Sequence, residues 1–360
     1  MNNLAYLDAE QFNQPDKAYD LAQKARTLDP ANPAVADTLG WAAFKRGDYQ
    51  QALALFQESA GKAGNNPEIQ FHLGMAHYMM GQADPARDAF QKAIGATGDF
   101  PSKAEAESRL KLLESASGSG AAIPVEQLEA MLNRQPNDLV VQLRLAEAYE
   151  KQAAWAKAAG AYEAALKVNP KLPSATLKLA QLYSGPVPNK EKALAYAKQA
   201  RTLSPNDPKA TGVLGQIAFA NGDFSWAYNL LQESARQLDS DPQVLHDLAW
   251  ATYSLGNVPD ARDAMQRSLK ASPDPATAED AKAFLALTAL EGTPTALAGG
   301  KAASSSKLKA DPSYVPALMA DAALDVQNNN KTAAVSRYQE VLRRFPDFAP
   351  AQEQLASLYV

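Results

Sequence analysis

Residues 33–66 read PAVADTLGWAAFKRGDYQQALALFQESAGKAGNN, and residues 67–100 read PEIQFHLGMAHYMMGQADPARDAFQKAIGATGDF. The second stretch repeats the first. Pro33 and Pro67, Gly40 and Gly74, Gly47 and Gly81, Ala52 and Ala86, and Phe56 and Phe90 each stand 34 residues apart, and Pro101 opens the next copy. Features that recur at one interval of about 20–50 residues mark a repeated supersecondary unit, stacked as a solenoid, a propeller or an array.

One unit, 33–66, shows what is stacked. Asn32-Pro33 opens it, with Pro where a first-turn N–H has no helical partner anyway. Ala36, Leu39, Gly40, Ala43 and Phe44 then fall at helical spacing. Gly47-Asp48-Tyr49 breaks the pattern as a short turn does. A second helical run carries Tyr49, Ala52, Leu53, Leu55, Phe56, Ser59 and Ala60, and Gly64-Asn65-Asn66-Pro67 ends it. The unit is therefore helix, turn, helix, turn. Gly40 and Ala52 let the two helices approach closely. Neither helix can bury its apolar stripe within one unit, so the neighbouring unit must cover it.

The set Ala36, Leu39, Gly40, Ala43, Gly47, Ala52, Phe56 and Ser59, with Pro30, Pro170, Pro205 and Pro273 closing other units, resembles the tetratricopeptide repeat. Its period separates it from ankyrin repeats of about 33 residues and from HEAT and armadillo repeats of about 40–47. The resemblance implies an all-α fold: a right-handed superhelix of about ten antiparallel helix pairs.

The chain falls into blocks. The first is 1–115, and it begins on a unit with its front removed. Ala18, Ala22, Ala25 and Pro30 match a second helix there, while only Leu4-Ala5-Tyr6-Leu7 is left of a first. At its far end Ser102–Glu114 reads as a charged helix. Lys103, Glu105, Glu107, Arg109 and Lys111 suit the polar outer face of a terminal cap. Small residues over 116–123 are expected to form a flexible linker or a long hairpin. A regular block, 124–290, follows. The stretch 291–309, with Gly292, Pro294, Gly299 and Gly300, is expected to be irregular. The last block, 310–360, holds one unit and a lone final helix. Asp321 and Asp325 stand there where the family usually has apolar residues. Both termini lie mid-pattern, which exposes terminal helices to self-association.

Composition narrows the function. With 46% apolar and 21% charged residues the chain is an ordinary folded one, and a net charge of −5 argues against a basic nucleic-acid footprint. There is no Cys, hence no disulfide framework and no thiolate chemistry. No apolar run is long enough to span a bilayer. His72 and His77 are five apart and so on different helix faces, whereas a zinc-binding pair on a helix needs a spacing of about four. No nucleophile stands by a base and no glycine-rich phosphate loop occurs. No catalytic, cofactor or metal site is expected.

What remains is surface. In the family, stacked pairs leave a concave groove lined by first helices. The resemblance places Asp37, Trp41, Phe44, Lys45, Phe71, His72, Met75 and Tyr78 on that groove. Arg144 and Glu147 follow in a charged middle, then His246, Trp250 and Tyr253. Exposed aromatic and Met patches mark binding sites; the competing reading is that these rings pack on one another as core. The expected function is a protein-interaction scaffold that grips an extended peptide or a partner helix. The alternative is the non-catalytic arm of a larger enzyme such as a glycosyltransferase. Residues 1–113 also resemble bacterial repeat lipoproteins of exosortase and exopolysaccharide systems, through Asn2-Asn3-Leu4-Ala5-Tyr6, Thr38-Leu39-Gly40-Trp41 and the charged helix after Pro101. That resemblance implies a cell-envelope or periplasmic setting, with a signal peptide upstream of Met1; the cytoplasm stays open.

Overall fold

A computed structural model describes residues 1–97, 100–114, 123–290 and 294–359, the side chains of 294–300 excepted. Among the described residues there are twenty-one helices and no strand. Two compact units are present, Met1–Leu179 and Ala180–Val360. The first holds α1 (Asn2–Glu10) and α2 (Pro15–Leu28), α3 (Pro33–Lys45) and α4 (Tyr49–Ala63), and α5 (Pro67–Met79) and α6 (Ala83–Gly95). It continues with α7 (Lys103–Glu114) and α8 (Val125–Arg134), then α9 (Leu139–Lys151) and α10 (Trp155–Val168). Helix α11 (Pro173–Ser184) carries the division between the units. The second unit holds α12 (Lys190–Leu203), α13 (Pro208–Ala220) and α14 (Phe224–Ala235), and α15 (Pro242–Ser254) and α16 (Val258–Lys270). After these come α17 (Pro275–Thr288) and α18 (Pro294–Ala310), α19 (Val315–Gln327) and α20 (Lys331–Arg344), and α21 (Ala349–Ser357). The fold is all-α, with helices packed in sequential pairs.

Local chemistry places the ends. Pro33, Pro67, Pro208 and Pro242 sit in the first turn of their helices, and Asn32, Asn66, Asp207 and Asp241 before them accept backbone N–H bonds as N-caps. The turns close through glycines in the left-handed region, such as Gly47 (φ 82°) and Gly222 (φ 86°). Within a pair the helices touch where one lacks a side chain. A Cβ on Gly40 would fall 2.7 Å from the Phe56 ring, and one on Gly74 would fall 2.6 Å from Phe90.

A second, longer repeat becomes visible once the helices are in register. Ala25-Arg26-Thr27-Leu28 returns as Ala200-Arg201-Thr202-Leu203, and Gln57-Glu58-Ser59-Ala60 as Gln232-Glu233-Ser234-Ala235. Ala86-Arg87-Asp88-Ala89 returns as Ala261-Arg262-Asp263-Ala264, again 175 residues on. Contacts recur with the letters. Arg26 pairs with Glu58 at 2.6 Å and Arg201 with Glu233 at 2.9 Å. Ser59 Oγ donates to the Pro33 carbonyl at 2.8 Å, and Ser234 Oγ to that of Pro208 at 2.7 Å. The chain is thus two successive modules of about five helix pairs.

Two expectations meet a different structure, and a third falls almost wholly outside the described residues. Arg109 does not lie on an outer cap face. Its guanidinium is largely buried and donates to Asp138, the N-cap of α9, and to the Tyr78 hydroxyl at 3.1 Å, so α5, α7 and α9 share one polar node. Of the expected linker, 116–122 lie outside the described residues. The stretch expected to be irregular carries α18 from Pro294, its residues 291–293 also lying outside those described. Glycines 299 and 300 each cost such a helix about 1 kcal/mol relative to Ala; contacts with α19, including a Ser304 Oγ bond to Asp321, hold it. Asp321 and Asp325 are explained by Arg337, whose guanidinium lies 3.4 Å from the first and 2.7 Å from the second.

Candidate functional site

In the second unit α15 sets His246 and Trp250 one turn apart, with Asp247 beside the histidine. Across from them α17 supplies Asp280. Its Oδ2 accepts from His246 Nε2 at 2.8 Å and from Trp250 Nε1 at 3.1 Å, while His246 Nδ1 lies 3.3 Å from Asp247 Oδ1. One imidazole is therefore held between two carboxylates. Burial alone would depress its pKa; the bonds to Asp247 and Asp280 outweigh that and raise it to about 9. Burial pushes Asp280 up, but the His246 bond, helped by Trp250 and Tyr314, holds its carboxyl below the usual range. Burial and the neighbouring Asp280 push the Tyr314 hydroxyl up.

Aromatic walls stand around this cluster. The Trp250 ring meets Phe284 at 5.2 Å and Tyr314 edge-on at 5.7 Å. Phe345, from the α20–α21 junction, faces Phe219 of α13 at 6.5 Å. Between these walls lies a cavity of about 420 Å³, also lined by Gln216, Lys307, Arg344 and Phe348, within the roughly 300–1,000 Å³ usual for ligand sites. Two of its linings break a local rule. Tyr314 and Phe348 occupy N-cap positions, and neither makes a side-chain cap bond. The corresponding position before α9 is Asp138, which does. Giving up such a cap costs about 1 kcal/mol; α1, α2, α4, α6, α8, α10 and α20 also have no side-chain cap bond, so what sets these two positions apart is the aromatic ring each puts there.

The structure divides the expected groove residues. Trp41, Phe71, His72, Met75, Tyr78 and Tyr253 are buried, none more than 7% exposed. They pack on one another. Trp41 stacks on Phe44 at 5.0 Å and on His72 at 4.1 Å, and donates its Nε1–H to Glu10 at 2.7 Å. Asp37, also buried, meets His72 Nδ1 at 3.0 Å. Phe44 is half-buried, and Lys45 is exposed, 3.4 Å from Glu10. The aromatic side chains of α3 and α5 fill the space between these helices themselves. Arg144 and Glu147 pair at 2.7 Å beside a second cavity of about 370 Å³ between α9 and the Tyr78 end of α5, where Lys178 also has its own carboxylate, Glu150, at 3.0 Å. His246 and Trp250 stay half-buried at the cavity of the second unit. Asp280, Tyr314, Phe345 and Phe348 escaped sequence reading; an aromatic residue at an N-cap position was the signal available for two of them.

Among the described residues no group of three or more His, Cys, Asp and Glu is arranged to hold a metal ion, and no helix is long and apolar enough to cross a membrane. Three stretches of the chain, 43–109, 143–174 and 213–276, match models of the tetratricopeptide repeat. No curated protein matches. Among solved structures the chain is similar to the tetratricopeptide repeat domain of P58(IPK), at 16% identity over 98% of this chain and 95% of that one, with a TM-score of 0.41. It is similar also to the Cut9-Hcn1 hetero-tetramer of the APC/C, at 14% identity over 99% and 96%, with a TM-score of 0.44. The matched stretches fall on the helix pairs described above, and over those stretches the chain carries tetratricopeptide repeats.

Proposed function

We propose that the chain is a protein-interaction scaffold and that a partner segment seats in the trough of Ala180–Val360 between α13, α15 and the α18–α19 and α20–α21 junctions. The observation that carries this is the cavity of about 420 Å³ walled by Trp250, Tyr314 and Phe345, two of whose linings stand where an N-cap would otherwise be. Of these rings Trp250 and Phe345 are partly exposed, and such rings around a concavity supply the anchors that dominate protein recognition. The matched families are repeat families, not catalytic ones, which favours a scaffold over an enzyme. A bacterial envelope setting rests on the resemblance of 1–113 alone.

The test borrows the other module. Gln216 is exposed at the trough, and the residue 175 positions before it is Trp41, which fills the matching place. Gln216→Trp should close the trough without unfolding the unit. Panning a displayed random-peptide library against the full chain should yield clones that bind the wild type and lose at least about tenfold in affinity, about 1.4 kcal/mol, to the variant. Clones that bind both proteins alike would place the binding surface elsewhere.

A further inference from the structure

We infer that the trough selects a peptide segment in which a large apolar side chain lies beside an Asp or Glu. This rests on the reading of the trough as the binding surface and adds the chemistry of its occupant. The apolar half follows from the walls: Trp250, Tyr314 and Phe345 present ring faces and edges to a space with room for one large side chain.

The acidic half follows from an account of donors and acceptors around the same space. Each of the three carboxylates at the trough already accepts two bonds on one of its oxygens. Asp280 Oδ2 accepts from His246 and Trp250. Asp247 Oδ1 accepts from His246 and from Gln243 Nε2 at 2.9 Å. Asp311 Oδ1 accepts from the backbone N–H of Ser313 at 2.9 Å and from its Oγ at 2.8 Å. The two long cations are not matched in this way. Lys307 Nζ lies over the Tyr314 ring, 4.4 Å from its centre, and has no carboxylate partner among the described residues. Arg344 donates to Ser313 Oγ and lies over the Phe345 ring, again with no carboxylate.

An ammonium carries three N–H donors and a guanidinium five, so most of these are unspent. Both cations converge on adjacent residues, Ser313 and Tyr314, at the edge of the aromatic floor. A carboxylate next to the anchoring side chain would take charge-assisted bonds from them. A Lys or Arg in that place would meet two like charges, Lys307 and Arg344, directly at the edge of the aromatic floor. The first module shows the contrast: the cations of its cavity, Arg144 and Lys178, each hold a carboxylate of their own.

The experiment uses the full chain and the strongest library clone, synthesised as an amidated peptide so that no terminal carboxylate competes. The selected sequences should place Asp or Glu within two positions of a Phe, Leu, Met or Trp. Changing that acid to Gln should weaken binding about tenfold, changing it to Lys should weaken it further, and Lys307→Glu with Arg344→Glu should invert the preference. Peptides with Glu, Gln and Lys that bind equally, yet are all lost in Gln216→Trp, would overturn the acidic preference and leave the trough standing. Peptides indifferent to Gln216→Trp would overturn both. Circular dichroism of each variant should match the wild type, since Arg344 and Gln216 are exposed and Lys307 is half-buried.

Discussion

Trp41 and Gln216 stand at the same place in two successive modules, one buried beneath His72 and Glu10, the other exposed at the lip of a cavity. Around each, the neighbours have changed together. Met75 and Phe71 in the first module become Trp250 and His246 in the second, and Glu105 becomes Asp280. Asp138, Asn169 and Leu172 become Tyr314, Phe345 and Phe348, now 176 positions on. The first module closes its inner surface with one large ring from α3 and locks the far side with a polar node, Tyr78, Arg109 and Asp138. The second moves its aromatic mass to the helix junctions and leaves the middle empty. One backbone plan therefore holds a buried ring at this place in one case and a hollow in the other. What differs is where the bulk sits, and of these seven positions four are aromatic in the second module against two, Trp41 and Phe71, in the first.

The polar node offers the most damaging way to test that contrast. Asp138 is only 6% exposed, and burial and Asp138 together push the Tyr78 hydroxyl up while Asp138 and Tyr78 push Arg109 up against the opposing effect of burial. Arg109→Ala strands a buried carboxylate, which costs about 3–5 kcal/mol. Hydrogen exchange should show α5, α7 and α9 losing protection while α15 and α19 keep theirs. Installing the second module's residues, Arg109→Phe with Asp138→Tyr, should return most of the loss, because a buried ion pair replaced by packed apolar groups is often neutral. If Arg109→Ala costs under about 1 kcal/mol, the node is not a buried pair and the two modules are closed by the same means.

The helix pairs, the turns and the proline stops were all legible in the 34-residue period, because each rests on local rules: a missing N–H, a positive φ, a spacing of small residues. The site was legible only in part. His246 and Trp250 could be named from the register of α15. Asp280 stands one 34-residue period on from His246, at the same register of a later helix, so it too could have been named; Tyr314, Phe345 and Phe348 could not, since they reach the trough from helix junctions and not from a first-helix register. Trp41, Phe71 and Tyr78 are buried for a physical reason. A first-helix ring faces the groove in a repeat with small neighbours, but it is swallowed where α3 and α5 carry several rings at once.

A smaller effect separates the modules by pH. His246 has no counterpart in the first, where Phe71 holds its register. Its pKa is raised on folding, from 6.5 to about 9. Stability from the protonated imidazole is therefore fully present below about pH 6.5 and is lost as pH rises through 9. At about 1.4 kcal/mol per unit of pKa, the whole effect is on the order of 3 kcal/mol. Thermal unfolding from pH 6 to pH 10 should show wild type ahead of His246→Gln at the acid end, the gap narrowing toward the alkaline end. A constant gap would mean that the imidazole packs in the cluster as a neutral ring.

The finest comparison is inside one helix pair. Gly74 in α5 faces Phe90 of α6, and 175 positions later Ala249 and Met265 hold the same two places, both fully buried in one cluster. The substitutions look compensatory. A Cβ at position 74 would fall 2.6 Å from a fully buried phenyl ring that has nowhere to go, so Gly74→Ala should cost about 1–3 kcal/mol by overpacking. The flexible Met side chain can yield where a ring cannot, so Gly74→Ala with Phe90→Met should be markedly more stable than the sum of the single changes. Residues in contact of this kind couple by about 0.5–3 kcal/mol in a double-mutant cycle. Met265→Phe opposite Ala249 should recreate the clash in the second module. A coupling near zero at both sites would show that the two modules share a register in sequence while packing it independently, and the exchange of Trp41 for Gln216 would then lose its force as a guide to which trough is open.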